Sequence, residues 1–166
     1  MTPEAIALVR SSVALIRPGP AALGPCFYDQ LFALAPGARG LFPADLEEQA
    51  GKLVDMLGCI VAALDQPDEL GRLFAAMGRR HVGYGAKEGH YDAVGAALLR
   101  ALHQTLGPHW TPELGDAWAE VYGEMAEAMI AAARQDDGSP PDPAPDRGTG
   151  GLGPPDGPCP AGRMRA

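Results

Sequence analysis

The sequence predicts an all-α fold: one helical domain over residues 1–134, followed by a Pro/Gly-rich disordered tail over residues 135–166. Three observations carry this expectation. Apolar residues recur at three- and four-residue spacing along most of the first 134 positions. No segment there sustains the alternation of a half-buried strand. Composition then changes sharply after Arg134. Stretches such as Asp137-Gly138-Ser139-Pro140-Pro141 and Gly148-Thr149-Gly150-Gly151 offer too little apolar surface to offset the entropy of ordering them.

Each helix has its own signals. Thr2 is placed to cap the first, with Pro3 in its first turn and Ile6, Val9, Val13 and Ile16 at helical spacing. Pro18-Gly19-Pro20 ends it. A second helix runs to about Ala35 and presents Phe27, Leu31 and Leu34; Pro25 either kinks it or marks a start near Gly24. Pro36-Gly37 and Leu41-Phe42-Pro43 form a bend. A long helix from about Ala44 to Leu64 carries Leu46, Leu53, Met56, Leu57, Ile60 and Leu64 on one face. The next carries Leu70, Leu73, Phe74 and Met77, with His81 one turn later, and Gly83 and Gly85 end it. A fifth helix carries Tyr91, Val94, Leu98 and Leu102, and His90 opens it. Thr111-Pro112-Glu113 repeats the opening cap and begins a last helix with Trp118, Val121, Tyr122, Met125 and Met129. Six main helices with short connections, plus short turns in the bend, are expected.

Composition narrows the function classes. The formal net charge of -8 disfavours nucleic acid and anionic membrane as partners. The N-terminus lacks the pattern of a signal peptide, and no stretch approaches the roughly 20 apolar residues that cross a bilayer. A cytoplasmic protein is the expectation. Cys26, Cys59 and Cys159 are odd in number and widely spaced, so neither a disulfide framework nor a zinc site is expected; Cys26 and Cys59 read as buried thiols.

His81 continues the apolar face of Leu73 and Met77, so it points inward. A lone inward histidine is ordinarily a hydrogen-bonded core residue. Its surroundings change that reading. The stretch from Gly78 to Gly95, with His81 and Tyr91 ten residues apart, resembles the proximal segment of bacterial globins, both single-domain haemoglobins and the globin domain of flavohaemoglobins. Other segments agree in order: Phe27-Tyr28 with Leu31-Phe32, Leu41-Phe42-Pro43, Gln49 with Leu53, and Ala117-Trp118 with Val121-Tyr122-Gly123. The likeness covers about residues 2–134.

This resemblance implies a globin fold enclosing a b-type haem. His81 is then the axial iron ligand through a neutral imidazole nitrogen, whose other nitrogen needs an acceptor to fix the tautomer. Phe42 packs against the haem, and Tyr91 lies beside the proximal histidine. Tyr28 and Gln49 form a distal pair of donors to a gas ligand that gains negative charge on binding. Leu53, one turn from Gln49, supplies an apolar wall, and Gln49 is expected at the pocket mouth. The proximal glutamate of flavohaemoglobins has no counterpart, since its place falls on Ala133, with Glu124 and Glu127 nearby. The implied function is reversible binding of dioxygen, with nitric oxide and carbon monoxide as further ligands. Nitric oxide dioxygenation would need an external reductase, because the chain shows no flavin- or nicotinamide-binding pattern. The alternatives are a haem-free regulatory module and a haem peroxidase or nitrite reductase.

Overall fold

The computed structural model describes residues 1–16 and 20–135. The expected tail and Cys159 lie outside these residues, as does the break at Pro18-Gly19. In chain order the elements are α1 (Pro3–Ile16), α2 (Pro20–Leu34), a 3₁₀ segment (Pro36–Leu41), α3 (Glu47–Ala62), α4 (Pro67–Gly83), α5 (Glu88–Leu106), a short 3₁₀ turn (Gly107–His109) and α6 (Pro112–Gln135). No strand occurs among the described residues.

Both predicted caps form. The Thr2 hydroxyl accepts the Ala5 N–H at 3.2 Å, and the Thr111 hydroxyl accepts the Leu114 N–H at 3.2 Å. Of the two readings of Pro25, the start near Gly24 is ruled out: α2 begins at Pro20, and Pro25 sits exposed within it, at the cost of one intrahelical hydrogen bond. Helix α3 begins at Glu47 rather than Ala44, because the Asp45 carboxylate accepts the Glu47 N–H at 2.9 Å and holds the chain in a turn.

Helix α2 packs chiefly on α5 and α3, and α4 chiefly on α6. Two of these crossings run at backbone distance. A Cβ on Gly24 would stand 2.8 Å from the Ala50 Cα, so only glycine lets α2 and α3 approach this closely. A Cβ on Gly78 would stand 2.9 Å from the Met129 Cα, which brings α4 onto α6 in the same way. Far from the cavity, Trp118 is 1% exposed and donates to the Ser12 hydroxyl at 3.0 Å, while that hydroxyl donates to the Val9 carbonyl at 2.7 Å. This bond ties α1 to α6 and satisfies the buried indole N–H.

Cys26 and Cys59 are only part-buried and form no disulfide. The expectation of buried thiols fails because α2 turns Cys26 toward the rim of α5, where its Sγ lies 3.2 Å from Gln104 Oε1. No described helix is long and apolar enough to cross a membrane.

Candidate functional site

The helices enclose a partly open apolar cavity. Tyr28, Phe42, Leu53, His81 and Tyr91 all line it, although in sequence they span more than sixty positions.

One wall comes from α2, the bend and α3. The Gly24–Ala50 crossing sets its spacing, since Tyr28 follows Gly24 by one turn and Leu53 follows Ala50 by three residues. The Tyr28 ring is held by aromatic neighbours on three sides: Phe27 at 5.0 Å, Phe42 at 5.3 Å and Phe32 at 5.9 Å between centroids. Its hydroxyl donates to the Gln49 backbone carbonyl at 3.4 Å, a long and weak bond. Burial pushes the phenol pKa up to about 12, so the hydroxyl keeps its proton throughout the neutral range. The bend is held by Arg39, which donates to the carbonyls of Phe42, Pro43 and Ala44 at 3.2, 2.8 and 3.1 Å and lies over the Phe32 ring. This clamp fixes Phe42 against the cavity.

Gln49 departs from its expected place. It is 3% exposed rather than at the mouth, and its side chain is not part of the cavity wall. Its Oε1 is buried without a hydrogen-bond partner. The tight α2–α3 crossing at the adjacent Ala50 draws this turn of α3 inward and covers the amide.

The opposite wall comes from α4, α5 and α6. His81 is part-buried in the last turn of α4. Its Nδ1 lies 2.8 Å from the Met77 carbonyl oxygen. A carbonyl can only accept, so Nδ1 carries the proton and the neutral ring has its lone pair on Nε2. Burial holds the imidazole pKa below its ordinary value, with the Met77 carbonyl acting in the opposite sense. The favoured form is therefore the neutral one. The helix end that presents this ring is well satisfied: the His81 carbonyl accepts from Ala86 N at 3.0 Å, and the Val82 carbonyl from Gly85 N at 2.9 Å. Behind His81, Met77, Met125 and Met129 fill the wall with flexible thioethers. Tyr91 is positioned by its backbone, whose carbonyl accepts the Tyr122 hydroxyl at 2.6 Å.

Among the described residues, no carboxylate or thiol lines the cavity, and there is no cluster of three or more His, Cys, Asp or Glu side chains suited to a metal ion. Glu124 is exposed and pairs with the terminal amine at 3.5 Å; Glu127 is exposed as well. The donor set is thus a single imidazole in an apolar slot. That suits a metal whose remaining ligands arrive with a flat macrocycle, and a haem fits these residues. From sequence, His90 is placed only as the residue that opens the fifth helix, Arg39 is not singled out, and Tyr122 and the methionines stand as apolar helix positions. Arg39 follows Pro36-Gly37 in the bend, a faint signal; the methionines offered none beyond apolar spacing.

Comparison with known proteins agrees with the fold. A family model for globins matches residues 26–129. A flavohemoprotein of Deinococcus radiodurans is 35% identical over 135 residues, covering 78% of this chain and 33% of that protein. The chain thus spans about a third of the length of the curated flavohemoproteins it matches. Among solved structures, a bacterial globin from Campylobacter jejuni aligns with a TM-score of 0.72 at 25% identity, covering 81% of this chain and 97% of that one. An engineered carbene transferase, described as a candidate nitric oxide dioxygenase from Rhodothermus marinus, aligns with a TM-score of 0.72 at 29% identity, covering 81% and 94%.

Proposed function

The chain belongs to the globin family, and from that premise we propose that it holds a b-type haem in the cavity and binds dioxygen reversibly. Haem supplies, when bound, an iron centre with affinity for diatomic gases. The observation that carries the reading is the proton placement on His81: the Met77 carbonyl takes the Nδ1 proton, leaving Nε2 as a lone-pair donor on a cavity-lining ring.

The chain's other residues have distinct tasks. Tyr28 keeps its hydroxyl proton and commits it only weakly to Gln49, so it is available to a polar gas ligand. Leu53, Met56 and Leu57 keep water out, which strengthens that donation and slows oxidation. Phe42 and Tyr91 line the cavity and would pack along a bound macrocycle. Nitric oxide and carbon monoxide would reach the same place. Conversion of nitric oxide and dioxygen to nitrate consumes one electron per turnover, which an external reductase would supply; the Rhodothermus relative supports this further reading. A peroxidase or nitrite reductase draws less support, because His81 Nδ1 meets the Met77 carbonyl, a weaker acceptor than the carboxylate that would make the imidazole more electron-donating.

The test is His81→Ala. Wild-type protein mixed with haem should give a sharp Soret band that shifts on reduction and again with carbon monoxide. The variant should lose stable haem uptake, or hold haem weakly and recover a histidine-like spectrum when imidazole is added. A variant with the same haem content and spectrum as wild type would remove the axial role.

A further inference from the structure

A second histidine lines the cavity and the haem reading leaves it unused. His90 lies in the first turn of α5 and is part-buried. Its Nδ1 accepts the Lys87 backbone N–H at 3.2 Å, and the Lys87 carbonyl accepts the His90 N–H at 2.9 Å. An N–H aimed at Nδ1 requires that nitrogen to be unprotonated, so Nε2, on the other edge of the ring, carries the proton. The ring is thus pinned at one edge and presents a donor at the other.

Haem carries two carboxylates on one edge. They cannot be buried unpaired in an apolar slot and must meet donors where the cavity opens. Among the described residues, no lysine or arginine lines this cavity. Arg39 is engaged by three carbonyls of the bend. Lys52 is paired with Glu48 at 2.8 Å, and Arg134 with Glu88 at 2.8 Å. Among the other polar lining groups, Tyr28 belongs to the gas-ligand wall, His81 faces the iron position, Tyr91 is assigned to the flank of the macrocycle beside His81, and the Tyr122 hydroxyl is spent on the Tyr91 carbonyl. We propose that His90 Nε2–H donates to a haem carboxylate and anchors that edge of the macrocycle between the end of α4 and the start of α5. The inference rests on the haem reading and adds the subsite that orients the group.

The test compares ordinary haem with its dimethyl ester, which lacks both negative charges. Dissociation of each into an excess of a haem-scavenging apoprotein is followed by absorbance, in wild type, His90→Asn and His90→Gln. Asparagine keeps an acceptor for the Lys87 N–H but is too short to reach outward; glutamine places an amide nitrogen about where Nε2 lies. Wild type should release the ester about 10-fold faster than ordinary haem. His90→Asn should release ordinary haem about as fast as the ester, while His90→Gln should retain most of the difference. Any general loosening of α5 speeds both forms and cancels in the ratio. If the Asn variant keeps the wild-type ratio, the carboxylate is held elsewhere and the proposal falls, with the haem reading intact. If wild type takes up neither form, the haem reading falls and the proposal falls with it.

Discussion

Replacing Tyr28 by phenylalanine removes one oxygen atom and leaves the ring in place, since Phe27, Phe32 and Phe42 hold it on three sides. Two consequences separate in size. Among the described residues the hydroxyl's one hydrogen bond is 3.4 Å long, so its loss should cost the fold no more than about 0.5–1 kcal/mol. In the loaded protein the same hydroxyl donates to a ligand that gains negative charge in a dry pocket, where a lost donor costs about 1–3 kcal/mol. That corresponds to roughly 5- to 150-fold faster dioxygen release. Carbon monoxide gains little charge, so its release should change far less. Gln49→Leu should have the smaller effect on dioxygen, because the amide lies outside the cavity wall. Burial puts the phenol pKa at about 12, so the donor persists and this contribution should be flat from pH 6 to 9. Stopped-flow release of both gases, alongside a thermal melt, measures all of this. Equal acceleration of both gases would mean that the pocket had merely loosened, and an unchanged dioxygen rate would mean that Tyr28 is no donor; either outcome refutes the reasoning.

Other outcomes follow from packing and charge. Ser12→Ala should lower stability by about 1–3 kcal/mol, because it strands the buried Trp118 N–H; for a domain of this size the melting temperature should drop by roughly 4–12 °C, read by calorimetry. Gly78→Ala should destabilise by about 1–3 kcal/mol, since its Cβ meets Met129 backbone that cannot rotate away; Gly71→Ala in the same helix meets nothing within 4 Å and should instead gain up to about 1 kcal/mol. Denaturant titration of the two variants compares them directly. In haem-free protein, burial depresses the folded-state pKa of His81, so below about pH 6.5 the unfolded chain binds the extra proton. Stability from this residue is then complete above pH 6.5 and is lost as pH falls toward the depressed folded value. His81→Phe should flatten that acid limb in urea melts at pH 7 and pH 5; an unchanged slope would assign the acid sensitivity to other groups.

The helices and their caps were legible because helix formation is local. Thr2 and Thr111 sit within three residues of the N–H groups they cap, and the 3.6-residue period of Leu73, Met77 and His81 states which face turns inward. The inward histidine, the tyrosine ten positions later and the resemblance they carry were enough to point to the cavity-lining set of Tyr28, Phe42, Leu53, His81 and Tyr91. What the tertiary structure alone decided depends on contacts between distant positions. Gln49 shares a helical face with Leu53, and period alone places both in the pocket; the backbone-level crossing of Gly24 and Ala50 buries the amide instead. Nothing near Ser12 indicates that its hydroxyl serves an indole 106 positions away, or that Arg39 spends its guanidinium on the bend. The tautomers of His81 and His90 belong here as well. Each is set by a neighbouring backbone group at 2.8 or 3.2 Å, and a ring's proton goes where a fixed acceptor or donor sends it, which only the folded geometry decides.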